Sequence, residues 1–268
     1  MSGLPEFPFS ARRRRGPHNR PGRRAARRIA AAGTSSLPPP PPSARAPPYI
    51  AWAKSVPDFA GTVIVHQGPG TKLRKISAGD LAQATESMPL EENGQVRHMF
   101  FTDASVAGRS SSPLEPMGRW PALAVVWRSP RYPRWNGQAF PGSGRTADNT
   151  GVLELEAVGK ALQLAYSRVA GDQREHRHSH LVLVFTDSQT AIDRLSLVPF
   201  APDVKNVQHW GQRLVDRGAE LELHYVPGHR DISGNEVADQ LAKAAANCLA
   251  DGRSLSEARV RDLDWFQA

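Results

Sequence analysis

The sequence predicts an α/β fold: a five-stranded mixed sheet, its first three strands antiparallel, flanked by helices and preceded by a disordered N-terminal tail. Three observations carry this expectation. Charge and proline are concentrated at one end. Residues 1–50 hold ten arginines against the single acid Glu6, net +9, while the whole 268-residue chain is +8, which leaves −1 for the remainder. From Val96 onward, β-prone runs and helical periodicities alternate in the order βββ, α, β, α(α), β, α, the pattern of one α/β domain. Finally, Leu181-Val182-Leu183-Val184-Phe185 is short and wholly apolar, as in a strand buried on both faces.

Residues 1–48 are arginine-rich and then proline-rich, with an unbroken run from Pro38 to Pro42. Such a segment cannot bury enough apolar surface to offset the entropy of ordering it, so disorder is expected. An arginine-rich, acid-poor N-terminus reads as a passive tail, a nuclear or mitochondrial address, or an arm that adds phosphate contacts. Residues 49–95 form an accessory extension. Gly61 to His66 and Thr71 to Ile76, separated by Gly68-Pro69-Gly70, read as a short hairpin, and Ser77 to Ser87 as a short helix.

The principal domain is expected over 96–250, with a C-terminal tail over 251–268. Its first strand covers Arg97 to Asp103, followed by a Ser/Gly/Pro-rich loop from Val106 to Gly118. Trp120 to Arg128 and Trp135 to Phe140 complete a meander. Leu155, Val158, Leu162 and Ala165 recur at helical spacing. The His-rich stretch Arg174 to His180 reads as a solvated loop before the fourth strand. Helices over Ser188 to Leu197 and Asp203 to Arg217, a fifth strand over Leu221 to Val226 and a last helix over Asn235 to Leu249 follow.

The lone cysteine, Cys248, excludes an intramolecular disulfide and a cysteine-built zinc cage. No run approaches the roughly 18–20 apolar residues that span a bilayer, and no apolar segment follows the N-terminal charges. An intracellular protein with no membrane partner is the expectation, with the nucleus and the mitochondrion both left open by the arginine-rich N-terminus.

Four acids fall where ligands gather. Asp103 and Asp187 each end an apolar strand, in Phe101-Thr102-Asp103-Ala104-Ser105 and Phe185-Thr186-Asp187-Ser188-Gln189. A carboxylate there points into the crevice that α/β sheets use for ligands, although a single Thr-Asp-Ser is more often a helix cap. Glu154 shares a helical stripe with Val158, Ala161 and Ala165, the sheet-facing side, whereas Glu156 aligns with Lys160 and Gln163 on the solvated side. Asp239 lies one turn into the last helix. Four inward carboxylates would repel one another and resist desolvation, which implies bound cations. Oxygen-only ligands favour Mg²⁺ or Mn²⁺, and two such ions about 4 Å apart suit phosphodiester hydrolysis.

The run Gly228-His229, Gly234-Asn235-Glu236, Ala238-Asp239 and Leu241-Ala242 resembles the C-terminal signature of the type-one ribonuclease H family. Thr102-Asp103, Glu154-Leu155 and Thr186-Asp187-Ser188 match its other acidic motifs in the same order. The resemblance covers about residues 96–248. It implies a ribonuclease H-like fold and a hydrolase that cuts the RNA strand of RNA–DNA hybrids to 5′-phosphomonoesters. It further implies two Mg²⁺ (or Mn²⁺) ions held by Asp103, Glu154, Asp187 and Asp239, with His229 assisting the attacking water or product release. Ala104, Ser105, Asn149, Ser188 and Asn235 are the implied substrate contacts, and a monomer is expected. Asp231 stands where the family usually has glycine, which puts a negative charge beside His229. Two rival readings are a non-catalytic nucleic-acid binder and a retroelement-derived ribonuclease H-like protein.

Overall fold

The structure, a computed structural model, describes residues 51–54, 56, 58–66, 71–109, 118–129, 132–144, 149–172, 179–228 and 232–255. The chain divides into two units, residues 1–44 and 45–268, and every described residue belongs to the second. The Arg/Pro-rich tail therefore lies outside the described residues, as do 256–268 of the C-terminal tail and His229 and Asp231.

The three-strand meander is present as β4 (Gln95–Arg109), β5 (Gly118–Ser129) and β6 (Tyr132–Pro141). These pair antiparallel, β4 with β5 and β5 with β6. β4 continues past the expected end at Asp103 to Arg109, so Val106 to Arg109 extend the strand instead of opening a loop. Their partners are Gly118 to Pro121 on β5, which prolong the ladder past the apolar core. Helix α2 (Thr150–Asp172) then crosses to β7 (Ser179–Thr186), which lies parallel to β4. Helices α3 (Gln189–Leu197) and α4 (Pro202–Val215) lead to β8 (Ala219–Tyr225), parallel to β7, and α5 (Ser233–Ala250) closes the domain. Gly218, at φ 77°, turns the end of α4 into β8 in a left-handed conformation that costs glycine little.

All five strands predicted for the principal domain are present, the expected arm Gly61 to His66 forms a sixth, and two unexpected short strands join them. β1 (Ala51–Lys54) pairs antiparallel with β2 (Thr62–His66), and β2 adds to β8 in parallel. The sheet order is β1-β2-β8-β7-β4-β5-β6, with β3 (Glu91–Glu92) on β4. β3 and β4 are joined at Asn93 and Gly94, whose φ values of 51° and 75° make the two-residue hairpin turn that Asn-Gly favours. The predicted hairpin arm over Thr71 to Ile76 is instead the start of α1 (Thr71–Glu86). Leu73 and Ile76 stand three apart, and the buried Ala78, Ala82 and Thr85 continue a helical spacing, not a strand's alternation.

Two cores sandwich the sheet. On one face, α2, α3 and α4 pack Leu155, Val158, Ile192, Leu195, Val207 and Leu214 against Val182, Val184, Leu221 and Leu223. On the other, α5 packs Val237, Ala238, Leu241 and Ala245 against Phe101, Leu183 and Phe185, with Ala82 of α1 in the same cluster. The His-rich stretch ends differently from expectation. Ser179 and His180 belong to β7, and His180 Nδ1 lies 3.1 Å from His98 Nε2 in the interior. Burial, then His180 and Arg168, push His98 down to about 3, so its imidazole is neutral at physiological pH.

The extension contributes to the first core. Val56, Phe59 and Val63 are buried with Leu221 and Leu223. A methyl group built on Gly211 of α4 would lie 3.0 Å from Phe59 Cε2, so the ring rests directly on that helix. Phe59→Ala is therefore expected to destabilise the whole domain by about 3 kcal/mol, read as a lowered midpoint of a single urea-unfolding transition.

Candidate active site

The register of β4 and β7 builds the site. Their parallel ladder ends at Thr102 opposite Thr186, and Thr102 donates its hydroxyl to the Phe185 carbonyl at 3.2 Å. Asp103 on β4 and Asp187 just past the end of β7 are the next residues. β7 ends there while β4 continues against β5 alone, leaving a crevice at the strands' carboxyl ends. The first turns of α2 bring Glu154 to this crevice on the face that carries Val158, Ala161 and Ala165, all buried. Glu156 is held elsewhere, accepting from the Ser143 amide at 3.2 Å.

Carboxylate oxygens of Asp103, Glu154 and Asp187 lie within 4.8 Å of one another. Asp103 and Glu154 are 7% and 8% exposed, so water screens them little. Burial, then Asp187 and Asp239, push Asp103 up to about 7. Burial, followed by the charges of Asp103 and Asp187, raises Glu154 well above the usual carboxylate range. Glu154 shares a hydrogen bond with Asp103, and the Ala104 amide supports both carboxylates. Glu154 Oε2 is buried without a hydrogen-bond partner among the described residues.

This donor set suits a divalent cation. An ion would satisfy the orphaned Glu154 oxygen and remove the repulsion that forces protons onto buried acids. Only oxygen donors are present in the cluster, which fits a hard cation.

Asp239 stands apart from the three. Its charge reaches Asp103, but its Oδ2 accepts from Lys243 Nζ at 2.7 Å, and its side chain is 30% exposed. Lys243 is a functional candidate that the sequence reading missed. Its ammonium is held up chiefly by the bond to Asp239, with further contributions from Asp103 and Asp187. The spacing of four from Asp239 on a helix was the available signal. Gly228 is another. A side chain there would place its first carbon 2.9 Å from Asp187 Oδ2, so the backbone closes directly over that carboxylate.

The other expected residues are spread around this centre. Ala104 and Ser105 follow Asp103 on β4, both partly buried. Asn149 Oδ1 accepts from the Val152 amide at 3.2 Å and so caps α2. Ser188 Oγ accepts from the Ala191 amide at 3.2 Å and caps α3. Asn235 is 4% exposed, with no partner for Oδ1 among the described residues.

A stability test follows with a definite sign. Asp103 is protonated in the folded, cation-free protein up to about pH 7, whereas in the unfolded chain it ionises near its ordinary value. The folded state therefore binds more protons between these limits, and stability falls as pH rises through that window. Without divalent cations, Asp103→Asn is expected to be more stable than wild type by on the order of a few kcal/mol at about pH 8, and nearly equal at about pH 4. Thermal melts in a chelator read both.

A family profile described as RNase H matches residues 95–247. Among solved structures, the chain is similar to RNase H1 from the halophilic archaeon Halobacterium salinarum NRC-1, at 20% identity and a TM-score of 0.35, over 56% of this chain and 98% of that one. It is also similar to the N-terminal RNase H domain of a Mycobacterium tuberculosis protein, solved as a fusion with maltose-binding protein. Identity there is 17% and the TM-score 0.37, over 58% of this chain and 97% of that one. A third likeness, to the protease–reverse transcriptase of prototype foamy virus, has 18% identity and a TM-score of 0.39, over 59% of this chain but 22% of that one. No curated protein matches the chain. With the profile spanning more than half of its residues, the chain belongs to the RNase H family.

Proposed function

We propose that the chain is a divalent-cation-dependent endonuclease that hydrolyses the RNA strand of RNA–DNA hybrids and leaves 5′-phosphomonoesters. The observation that carries this reading is the convergence of Asp103, Glu154 and Asp187 within 4.8 Å, with Asp103 and Glu154 buried and Asp187 partly so. In this reading the three acids and Asp239 hold two ions, Mg²⁺ or Mn²⁺. When bound, such ions would supply activation of a water and stabilisation of the leaving oxygen.

The chain's own groups have separable roles. Asp103, Asp187 and Glu154 fix the position of the scissile phosphate by fixing the charge opposite it. Lys243, which now neutralises Asp239, would turn outward to phosphate as Asp239 is recruited; its half-exposed side chain leaves it that freedom. His229 would hold a proton near the attacking water or the departing product. The backbone at Ala104 and Ser105, with the Glu154 carboxylate, would contact the 2′-hydroxyl that separates RNA from DNA. Asn149 and Ser188 spend their oxygens on helix caps. The Asn149 amide nitrogen and the Ser188 hydroxyl proton remain as donors to the hybrid's phosphates, and Asn235 would complete the set of polar contacts. All four acids come from one chain, so a monomer would suffice.

The test is incubation of the protein with labelled RNA–DNA hybrid, RNA duplex and DNA duplex, with Mg²⁺, Mn²⁺ or EDTA. The expected result is cleavage of the hybrid's RNA strand alone, abolished by EDTA and reduced about 10²-fold or more by Asp187→Asn. Intact hybrid at every Mg²⁺ and Mn²⁺ concentration, or Asp187→Asn cleaving as fast as wild type, overturns the reading.

A further inference from the structure

Helix α5 begins without a cap of its own. Ile232 occupies the capping position and offers no side-chain acceptor, so the first amides of the helix depend on outside partners. One is supplied from far away in sequence. Glu86, the last residue of α1, accepts the Gly234 amide on Oε1 at 2.7 Å. Gly234 is the second residue of α5, whose N–H an N-cap side chain ordinarily takes. A carboxylate there also complements the positive end of the helix.

The rest of α1 follows the same path. Gly79 lies against Pro227, since a methyl group built on it would be 3.4 Å from Pro227 Cγ. Ala82 is buried in the cluster that contains Val226, Ile232 and Val237. Along α1, Gly79 thus approaches Pro227 before His229 and Glu86 binds Gly234 after it, with Ala82 between them in the cluster that includes Val226 and Ile232. The opposite side of the α5 start is closed by the nuclease domain itself. Trp135 Nε1 donates to Ser233 Oγ at 3.2 Å, and a side chain on Gly234 would collide with Phe101 and come within 2.7 Å of Trp135. The first turn of α5 is therefore clamped between β4 and β6 on one side and Glu86 on the other.

We infer that Glu86 is a positioning residue for the nuclease, capping α5 from the N-terminal extension and thereby fixing where Asp239 stands relative to Asp103 and Asp187. Asp239 lies five residues beyond Gly234, about 7.5 Å along the helix axis, so a shift of the helix start is passed along the helix to its carboxylate. This inference rests on the proposed reading of the four acids as one site. It adds that residues outside the span matched by the family profile, 95–247, take part in its geometry.

Three variants of the full chain test it: Glu86→Ala, Glu86→Gln and Ser77→Ala. The last breaks the 3.1 Å bond between Ser77 Oγ and His66 Nδ1, loosening the extension without touching α5. Loss of a cap is expected to lower kcat about fivefold in Glu86→Ala, with KM for hybrid unchanged and the Mg²⁺ concentration for half-maximal rate raised. Hydrogen exchange of amides in the first turn of α5, measured without cations, should quicken about fivefold in the same variant. Glu86→Gln keeps an accepting oxygen and should stay within about twofold of wild type. Ser77→Ala should lower the melting temperature with kcat and the Mg²⁺ requirement unchanged. If Glu86→Ala loses stability while kcat, Mg²⁺ requirement and first-turn exchange all match wild type, the inference fails. It fails equally if Glu86→Gln is as impaired as Glu86→Ala. Should wild type leave hybrid uncut, the nuclease reading falls by itself, and the exchange rates of the variants still decide whether Glu86 caps α5.

Discussion

Like charges gathered at the end of a buried ladder are the constraint on which this architecture turns. Asp103 and Asp187 can meet only because β4 and β7 run parallel and in register to Thr102 and Thr186. Glu154 can join them only because α2 lays its apolar stripe on the same sheet. The core surrounding them denies water, so the protein meets the electrostatic cost with shared protons, with the ammonium of Lys243, or with cations. Packing that would stabilise any α/β domain here also concentrates negative potential at a single crevice.

Much of this was legible in the residues. Strand ends rich in apolar residues followed by Thr-Asp marked Asp103 and Asp187, and the helical stripe through Val158, Ala161 and Ala165 put Glu154 on the sheet-facing side, where it is buried. These signals are local and periodic. What was not legible depended on pairing across long separations. Thr71 to Ile76 is a β-prone run that the helix pattern of Ala78, Ala82 and Thr85 draws into α1. His180 belongs to a polar, His-rich stretch, and only its partner His98 on the neighbouring strand explains its burial. Asp239 was expected as an equal member of the acidic set. Lys243, one helical turn on, draws its carboxylate toward the open side, and a cation would have to compete with that ammonium.

The extension shows how a family domain acquires parts that its motifs do not announce. Val63 fills the first core beside Leu223, and Ala82 enters the second beside Val226. One short segment therefore contributes to both faces of the sheet. Its chemistry is conventional, a strand added at a sheet edge and a helix packed beyond it. Its effect is to convert β8 from an edge strand into an interior one, next to the chain that leads to His229.

The β2–β8 seam also ties beginning to end. Ile64 pairs with His224, so the edge of β2 that faces β8 has no partner until a segment far along the chain has been made. Such non-local closure is slow in folding, because the loop it bridges must be gathered first. Until β8 is made, the nascent chain thus carries an open strand edge, a window in which chaperones or foreign strands can engage it. Addition of β8 and α5 then brings Asp239 to the crevice that β4, β7 and α2 have already outlined.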